Sequence, residues 1–225
     1  MRGNQLFIGL ISEGSTDNRF LFSVIKRTID EIIFEYGGAT EIYIEEIKKD
    51  VGKPFIKQII DANKNYHKES FINILLIHND SDYQDDSRVL SDKFLPLMNE
   101  IKLVADELVC KEIIPIIPIY MIEAWMLADI DLFLNEISSN KDKSELKLNG
   151  DPESFKDPKE KIKKALQIIN QEKPKKRRKD LQINELYQLI GQKVEISKLL
   201  NLNSFKKFHD NLCDSLNKFN FIYKR

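Results

Sequence analysis

Four short apolar runs, each followed by a segment with helical spacing, constrain the fold of this 225-residue chain more than any other feature. Residues 5–11 (QLFIGLI), 41–47 (EIYIEEI), 71–77 (FINILLI) and 112–119 (EIIPIIPI) have the length and β-branched content of strands. Between them, Phe20, Leu21, Val24, Ile25, Ile29, Ile32 and Ile33 recur at helical spacing, with Ser15 or Thr16 as N-cap and Gly37-Gly38 as the stop. Phe55, Ile56, Ile59 and Ile60 mark a second helix, with Pro54 at its first turn. Val89, Leu90, Phe94, Leu95, Met98 and Ile101 mark a third, and residues 121–128 read as a fourth. The order βαβαβαβα implies an α/β fold: a mostly parallel four-stranded sheet flanked by helices. The 71–77 run is the most central in character. The polar 41–47 run belongs nearer an edge, and Pro115 and Pro118 place 112–119 at an edge or a bulge. In such sheets ligands gather beyond the carboxyl ends of the strands.

After a polar linker or long loop over residues 138–156, only helix signals remain. Asp157-Pro158 opens one helix carrying Ile162, Leu166 and Ile169. Leu186, Leu189 and Ile190 mark another that ends at Gly191, and Phe205, Phe208, Leu212 and Leu216 mark the last. The chain therefore divides into an α/β unit, residues 1–137, and an α-helical, basic C-terminal subdomain, residues 138–225. The formal net charge of −1 conceals this division: the first part holds 14 Lys/Arg against 24 Asp/Glu, the second 21 against 12. One half suits cations and the other a polyanion, unless the two are simply different solvated surfaces. An apolar content of 42% excludes a wholly disordered chain. No apolar run reaches the roughly 18 residues of a membrane span. The start of the chain lacks a cleavage-site pattern, and Cys110 and Cys213 are too few for a disulfide or metal framework. A reducing cytoplasm is the expected setting.

The chemistry gathers where the first and third runs end. The first leads straight into Glu13-Gly14-Ser15-Thr16-Asp17, and the third into His78-Asn79-Asp80-Ser81-Asp82. Alternation along an extended segment points Asp80 and Asp82 the same way. If the two strands are neighbours, Glu13, Asp80 and Asp82 converge at one end of the sheet. Like charges held that close raise each other's pKa unless a cation joins them, and an oxygen-only set suits Mg²⁺, with Mn²⁺ as a substitute. Asp85 and Asp86 follow at once and read as turn formers.

Glu13-Gly14-x-x-Asp17 after one strand and Asp80-x-Asp82 after a later one resemble the TOPRIM domain of topoisomerases, primases and several nucleases. The resemblance covers roughly residues 5–130. It implies a proton-transfer or metal-binding role for Glu13 and a Mg²⁺-holding role for Asp80 and Asp82. Tyr83 stands where the family often has a glycine. Residues 118–125 (PIYMIEAW), taken with residues 12–17, are similar to the bacterial TOPRIM-like family called domain of unknown function 4276, whose members often accompany ATPases in defence loci. This resemblance makes Asp17 and Glu123 further metal-site acids. Read from the residues alone, Glu123 is equally a surface acid on an amphipathic helix, with Trp125 in the core. There is no G-x-x-x-x-G-K-[ST] run, so the chain is not itself a P-loop ATPase. Phosphatases that use Asp-x-Asp carry the pair after the first strand, unlike this chain. His78 adjoins the site, but a lone histidine beside a strand is more often simply packed.

Lys173, Lys175, Lys176, Arg177, Arg178 and Lys179 fall within seven residues, with Lys159, Lys161, Lys163 and Lys164 just before them. Such a run can track a nucleic-acid backbone with salt-dependent affinity, or form a solvated loop. Nothing in it reads bases, so DNA and RNA, tRNA included, stand equal. The expectation is a Mg²⁺-dependent nuclease that hydrolyses phosphodiester bonds and works with an ATPase partner in defence, with a homo-oligomer as an open option. The alternative is a non-catalytic regulatory or binding subunit of an ATPase complex.

Overall fold

The computed structural model describes residues 4–38, 40–172 and 181–223. Lys173, Lys175, Lys176, Arg177, Arg178 and Lys179 lie outside the described residues. Four strands, β1 (Asn4–Ile11), β2 (Thr40–Glu46), β3 (Ile74–His78) and β4 (Ile113–Ile116), form one sheet in the order β2-β1-β3-β4, every pair parallel. The two apolar runs β1 and β3 take the centre, and the polar run and the proline-containing run take the edges.

Connecting them are α1 (Ser15–Tyr36), α2 (Phe55–His67), and a helical stretch in three parts: α3 (Ser87–Val89), a π-helical turn (Leu90–Phe94) and α4 (Leu95–Lys102). Beyond β4 come α5 (Glu123–Met126), α6 (Ile130–Glu136), α7 (Pro158–Glu172), α8 (Ile183–Lys193), α9 (Ile196–Leu199) and α10 (Asn203–Lys218). No helix among the described residues is long and apolar enough to cross a membrane.

Alternation along the strands explains why the runs are apolar almost throughout: both faces of the sheet are covered. Leu6, Ile8, Leu10, Ile74, Leu76, Ile114 and Ile116 join α1 on one face. Ile11, Leu75, Ile77 and Ile113 join Ile59 of α2, Phe94 and Leu97 on the other. Leu186, Phe205, Phe208 and Leu212 of the C-terminal helices belong to the first of these clusters, so residues 138–225 share a core with the sheet.

Two elements differ from their sequence reading. The strand expected over 112–119 is ordered as β4 for only four residues. Past it most of the bonds run one way: Asn79 N–H donates to Ile116 O (3.1 Å), Ser81 N–H to Pro118 O (3.1 Å) and Asp82 N–H to Tyr120 O (2.9 Å), and Tyr120 N–H donates back to Tyr83 O (3.1 Å). Pro118 has no N–H with which to answer, so it cannot continue a full ladder. The segment thereby becomes a rail of carbonyls that fixes the loop after β3.

Gly191 does not end its helix, because α8 runs on to Lys193. A Cβ on Gly191 would lie 2.7 Å from Phe20 O and 2.9 Å from Phe20 Cα, so the glycine lets α8 meet the backbone of α1. Arg27 of α1 then reaches back to the carbonyls of Gly191 (3.1 Å) and Val194, satisfying the end of α8. Gly191→Ala is expected to destabilise the protein by about 1–3 kcal/mol, since the backbone contact outweighs alanine's helix preference of about 1 kcal/mol. A denaturant titration checks this, and a variant as stable as wild type would refute the close-packing role.

Candidate functional site

The register pairs Ile11 with Ile77, so both central strands end together and their following loops emerge side by side. The loop after β1 turns at Gly14, which is the N-cap of α1 in place of the expected Ser15 or Thr16. Asp17 determines this start: its Oδ2 accepts from Gly14 N–H at 3.0 Å, the N3 acid satisfying a helix-terminal amide. The loop after β3 is tied across by Asp80 N–H, which donates to Glu13 Oε2 at 3.0 Å. Asp80 Oδ1 in turn accepts from Ile122 N–H at 2.9 Å, at the entry to α5. Glu13 from the loop after β1, Asp17 from the first turn of α1 and Asp80 from the loop after β3 are thus each oriented by a backbone amide. Among the described residues no hydrogen bond engages Glu13 Oε1, Asp17 Oδ1 or Asp80 Oδ2.

His78, 1% exposed, sits beneath this group. Its Nε2 is 3.2 Å from Asp80 Oδ1, while its Nδ1 lies 3.5 Å from Glu13 N and 3.6 Å from Asp17 Oδ2. A ring protonated at Nε2 donates to Asp80 and accepts from the Glu13 amide. Burial lowers the affinity of the ring for a second proton, but the Asp80 hydrogen bond and the charges of Asp80, Asp17 and Glu13 outweigh it, so its pKa is raised. Burial raises the pKa of Asp17, with His78 and the Gly14 amide opposing and Glu123 and Glu13 adding to the rise. Asp80 is likewise raised by burial, against His78 and reinforced by Asp17 and Glu13.

Glu123 joins the group from α5, but it is neither a surface acid nor exposed: it is 2% exposed. Its Oε1 takes an ion pair from Lys159 of α7 at 3.0 Å and a hydrogen bond from the Tyr187 hydroxyl of α8. Burial lowers the pKa of Lys159, yet Glu123, Asp17 and Asp80 carry it above its ordinary value. Trp125 is in the core as expected, its Nε1 donating to Ser204 Oγ at 2.7 Å.

Asp82 is not brought into this group. The strand ends at His78, and Asp82 adopts φ 58°, so the alternation that would align it with Asp80 no longer applies. Its side chain is exposed, and no hydrogen bond or ion pair engages it among the described residues. Asp85 caps Ser87 N–H at 3.0 Å, and Asp86 pairs with Lys207 of α10 at 2.8 Å, so both hold the loop in place. Of the basic residues expected near a polyanion, Lys159 is paired to Glu123. Lys161 donates to Lys147 O at 2.6 Å, and Lys164 pairs with Glu160 at 3.6 Å.

Sequence reasoning passed over Tyr187, Lys49 and Lys93, took Lys159 only as part of the basic set before the run, and weighed His78 as packing. Tyr187 carried a usable signal: a phenol on the buried stripe of α8 needs a partner for its hydroxyl. Lys159 carried none, because its partner lies on a distant element.

The four acids offer only oxygen donors, which matches a hard cation such as Mg²⁺. Among the described residues no three His, Cys, Asp or Glu side chains are spaced to grip one ion together. Mg²⁺ keeps several waters and is commonly held through one or two carboxylates, so the donor set fits it without a closed protein cage.

Fold and site together define an all-parallel α/β protein whose central strand ends carry backbone-oriented carboxylates, Glu13 exposed and Asp17 and Asp80 partly buried. Residues 12–213 match the family described as domain of unknown function 4276, and the chain belongs to that family. Neither a curated protein nor a solved structure matches it.

Proposed function

We propose that the protein is a Mg²⁺-dependent nuclease of TOPRIM-like type, which hydrolyses phosphodiester bonds in DNA or RNA and works with an ATPase partner. The observation that carries this reading is the convergence of Glu13, Asp17 and Asp80, each fixed by a backbone N–H and each with one carboxylate oxygen that no donor among the described residues engages. Asp80 and Asp17 would hold the cation, with Glu13 as a further ligand or as the general base. Bound there, Mg²⁺ supplies Lewis-acid stabilisation of charge on the phosphate and activation of water. The chain's own contribution is to hold the acids at fixed positions before substrate arrives. His78 orients Asp80, and Lys159 neutralises the buried Glu123. Glu123 adds a buried acid to the set, and the run from Lys173 to Lys179 would supply cations for a backbone.

Cleavage of labelled single-stranded and duplex DNA and RNA with Mg²⁺ or Mn²⁺ tests this reading directly. Wild type is expected to cut at least one of them and to stop in EDTA. Glu13→Ala is expected to lose about 10²–10⁴-fold of that rate, the range for removal of a positioned acid–base group. Equal rates in wild type and variant would sink the assignment. No cutting by either would leave the regulatory subunit as the reading.

A further inference from the structure

Several lysines of the described surface are tied to carboxylates: Lys159 to Glu123, Lys193 to Glu136, Lys207 to Asp86 and Lys218 to Glu112. Two lysines beside the acidic group differ. The Lys93 ammonium lies 2.7 Å from Asn79 Oδ1 and 5.6 Å from the centre of the Phe55 ring. Neither Lys93 nor Lys49 has a carboxylate within ion-pair distance among the described residues.

Their placement is built, not incidental. Asn79 is 4% exposed, and its Nδ2 donates to Asp80 O at 2.7 Å. Its amide is therefore a strut that holds the Lys93 ammonium beside the residue carrying the central carboxylate. Lys93 itself lies within the π-helical turn Leu90–Phe94, a local insertion that re-aims side chains and recurs at functional sites. Lys49 approaches from the segment after β2, the strand next to β1. Ile47 N–H, two residues before it, donates to Leu10 O at 2.8 Å, which brings this segment to the end of β1 beside the Glu13 loop. Lys49 is half-buried; burial lowers its pKa, Glu13 and Asp17 oppose that, and Lys93 adds to the fall. Neutralising the acids would require ion pairs of the kind Lys159 makes, and these two lysines make none. Neither ammonium is closed off by a direct ion pair among the described residues, so both keep donor capacity that a phosphate oxygen can take up.

We propose that Lys49 and Lys93 form an anion subsite that holds a backbone phosphate of a nucleic-acid strand against the acidic group. The chemistry that follows binding rests on the nuclease reading, but the binding itself does not. Glu13 is exposed at this edge, which leaves the way clear for a chain to pass across the site. A free nucleotide has the same phosphate chemistry and is the competing occupant.

The test uses the full chain in EDTA and a fluorescent single-stranded oligonucleotide, followed by anisotropy at several salt concentrations. The double variant Lys49→Gln/Lys93→Gln is expected to bind at least tenfold more weakly. Its plot of log affinity against log salt should be shallower by about 0.7–1.4, the loss of one or two single-strand phosphate contacts. Lys26→Gln, which removes a lysine paired to Asp30 on α1, should bind as wild type does. Unchanged affinity and salt slope in the double variant would overturn the subsite. Displacement of the strand by ATP at equal affinity would reassign it to a nucleotide and overturn the strand proposal. Strand binding that depends on both lysines, in a wild type that never cuts with Mg²⁺, would support the subsite and overturn the nuclease reading alone.

Discussion

Replacing Asp80 with asparagine is expected to abolish metal-dependent cleavage while leaving the fold as stable as wild type or more so. The two effects come from the same physical fact. Burial raises the pKa of Asp80, so its ionised form is less favourable in the folded chain than in the unfolded one. For an acid shifted upward, stability falls as pH rises from the unfolded pKa through the folded one. At neutral pH the charge therefore opposes folding. Asparagine keeps the one oxygen, Oδ1, that accepts from both Ile122 N–H and His78 Nε2, but carries no charge. Its activity should nevertheless drop by more than about 10²-fold, because loss of even an outer-shell partner of a metal site costs about 10–100-fold. Thermal melts with and without Mg²⁺ separate the contributions. The metal should raise the melting temperature of wild type, since a ligand that binds only the folded state stabilises it, and should leave the variant unmoved. A variant destabilised in the absence of metal would show that Asp80 is structural and not held for a cation. Sites that oppose folding and serve activity are the ordinary trade-off between stability and function.

The parts of this site that could be read in the sequence are those fixed by local geometry. β1 and β3 are buried on both faces, so their apolar runs are unbroken and their ends are sharp. Glu13 and Asp80 stand directly after those ends, and the parallel neighbourhood of the two strands brings them together. Asp82 failed because the reading extended strand alternation past His78, where the backbone instead follows the carbonyls of Pro118 and Tyr120. The Gly191 reading failed for a related reason: a glycine that permits close approach of α8 to Phe20 looks, in sequence, like one that ends a helix. Glu123 could not be placed from its own helix, since its burial depends on Tyr187, 64 residues further on, and on Lys159. The π-helical turn over Leu90–Phe94 hid for the opposite reason, because its apolar spacing matches an uninterrupted helix closely enough to read as one.

Trp125→Ala is expected to be the most destabilising single change near the site, at about 3–5 kcal/mol. The indole is 0% exposed and packs edge-on against Phe205 at 4.9 Å and obliquely against Phe208 at 6.2 Å, both on α10. Its N–H donates to Ser204 Oγ, one residue before that aromatic pair. Ser204 and Asn203 are themselves held by Glu153, whose carboxylate accepts both backbone amides at 2.9 Å and caps α10. Truncating Trp125 therefore opens a cavity where α5 meets the start of α10. At about 2–4 °C per kcal/mol for a chain of this size, the melting temperature should fall by roughly 6–20 °C. Trp125→Phe separates the contributions in part: it keeps one ring in the aromatic cluster and loses the hydrogen bond, at about 1 kcal/mol, together with the volume of the second ring. Equal melting temperatures for the two variants would show that ring packing is not what joins these elements. Activity should follow the packing, because Glu123 and the Ile122 amide that orients Asp80 both lie within three residues of Trp125. Assayed below its transition, Trp125→Ala should cut more slowly than Trp125→Phe even where both are fully folded. That difference arises because C-terminal helices that supply no carboxylate to the site still fix the turn that aims one.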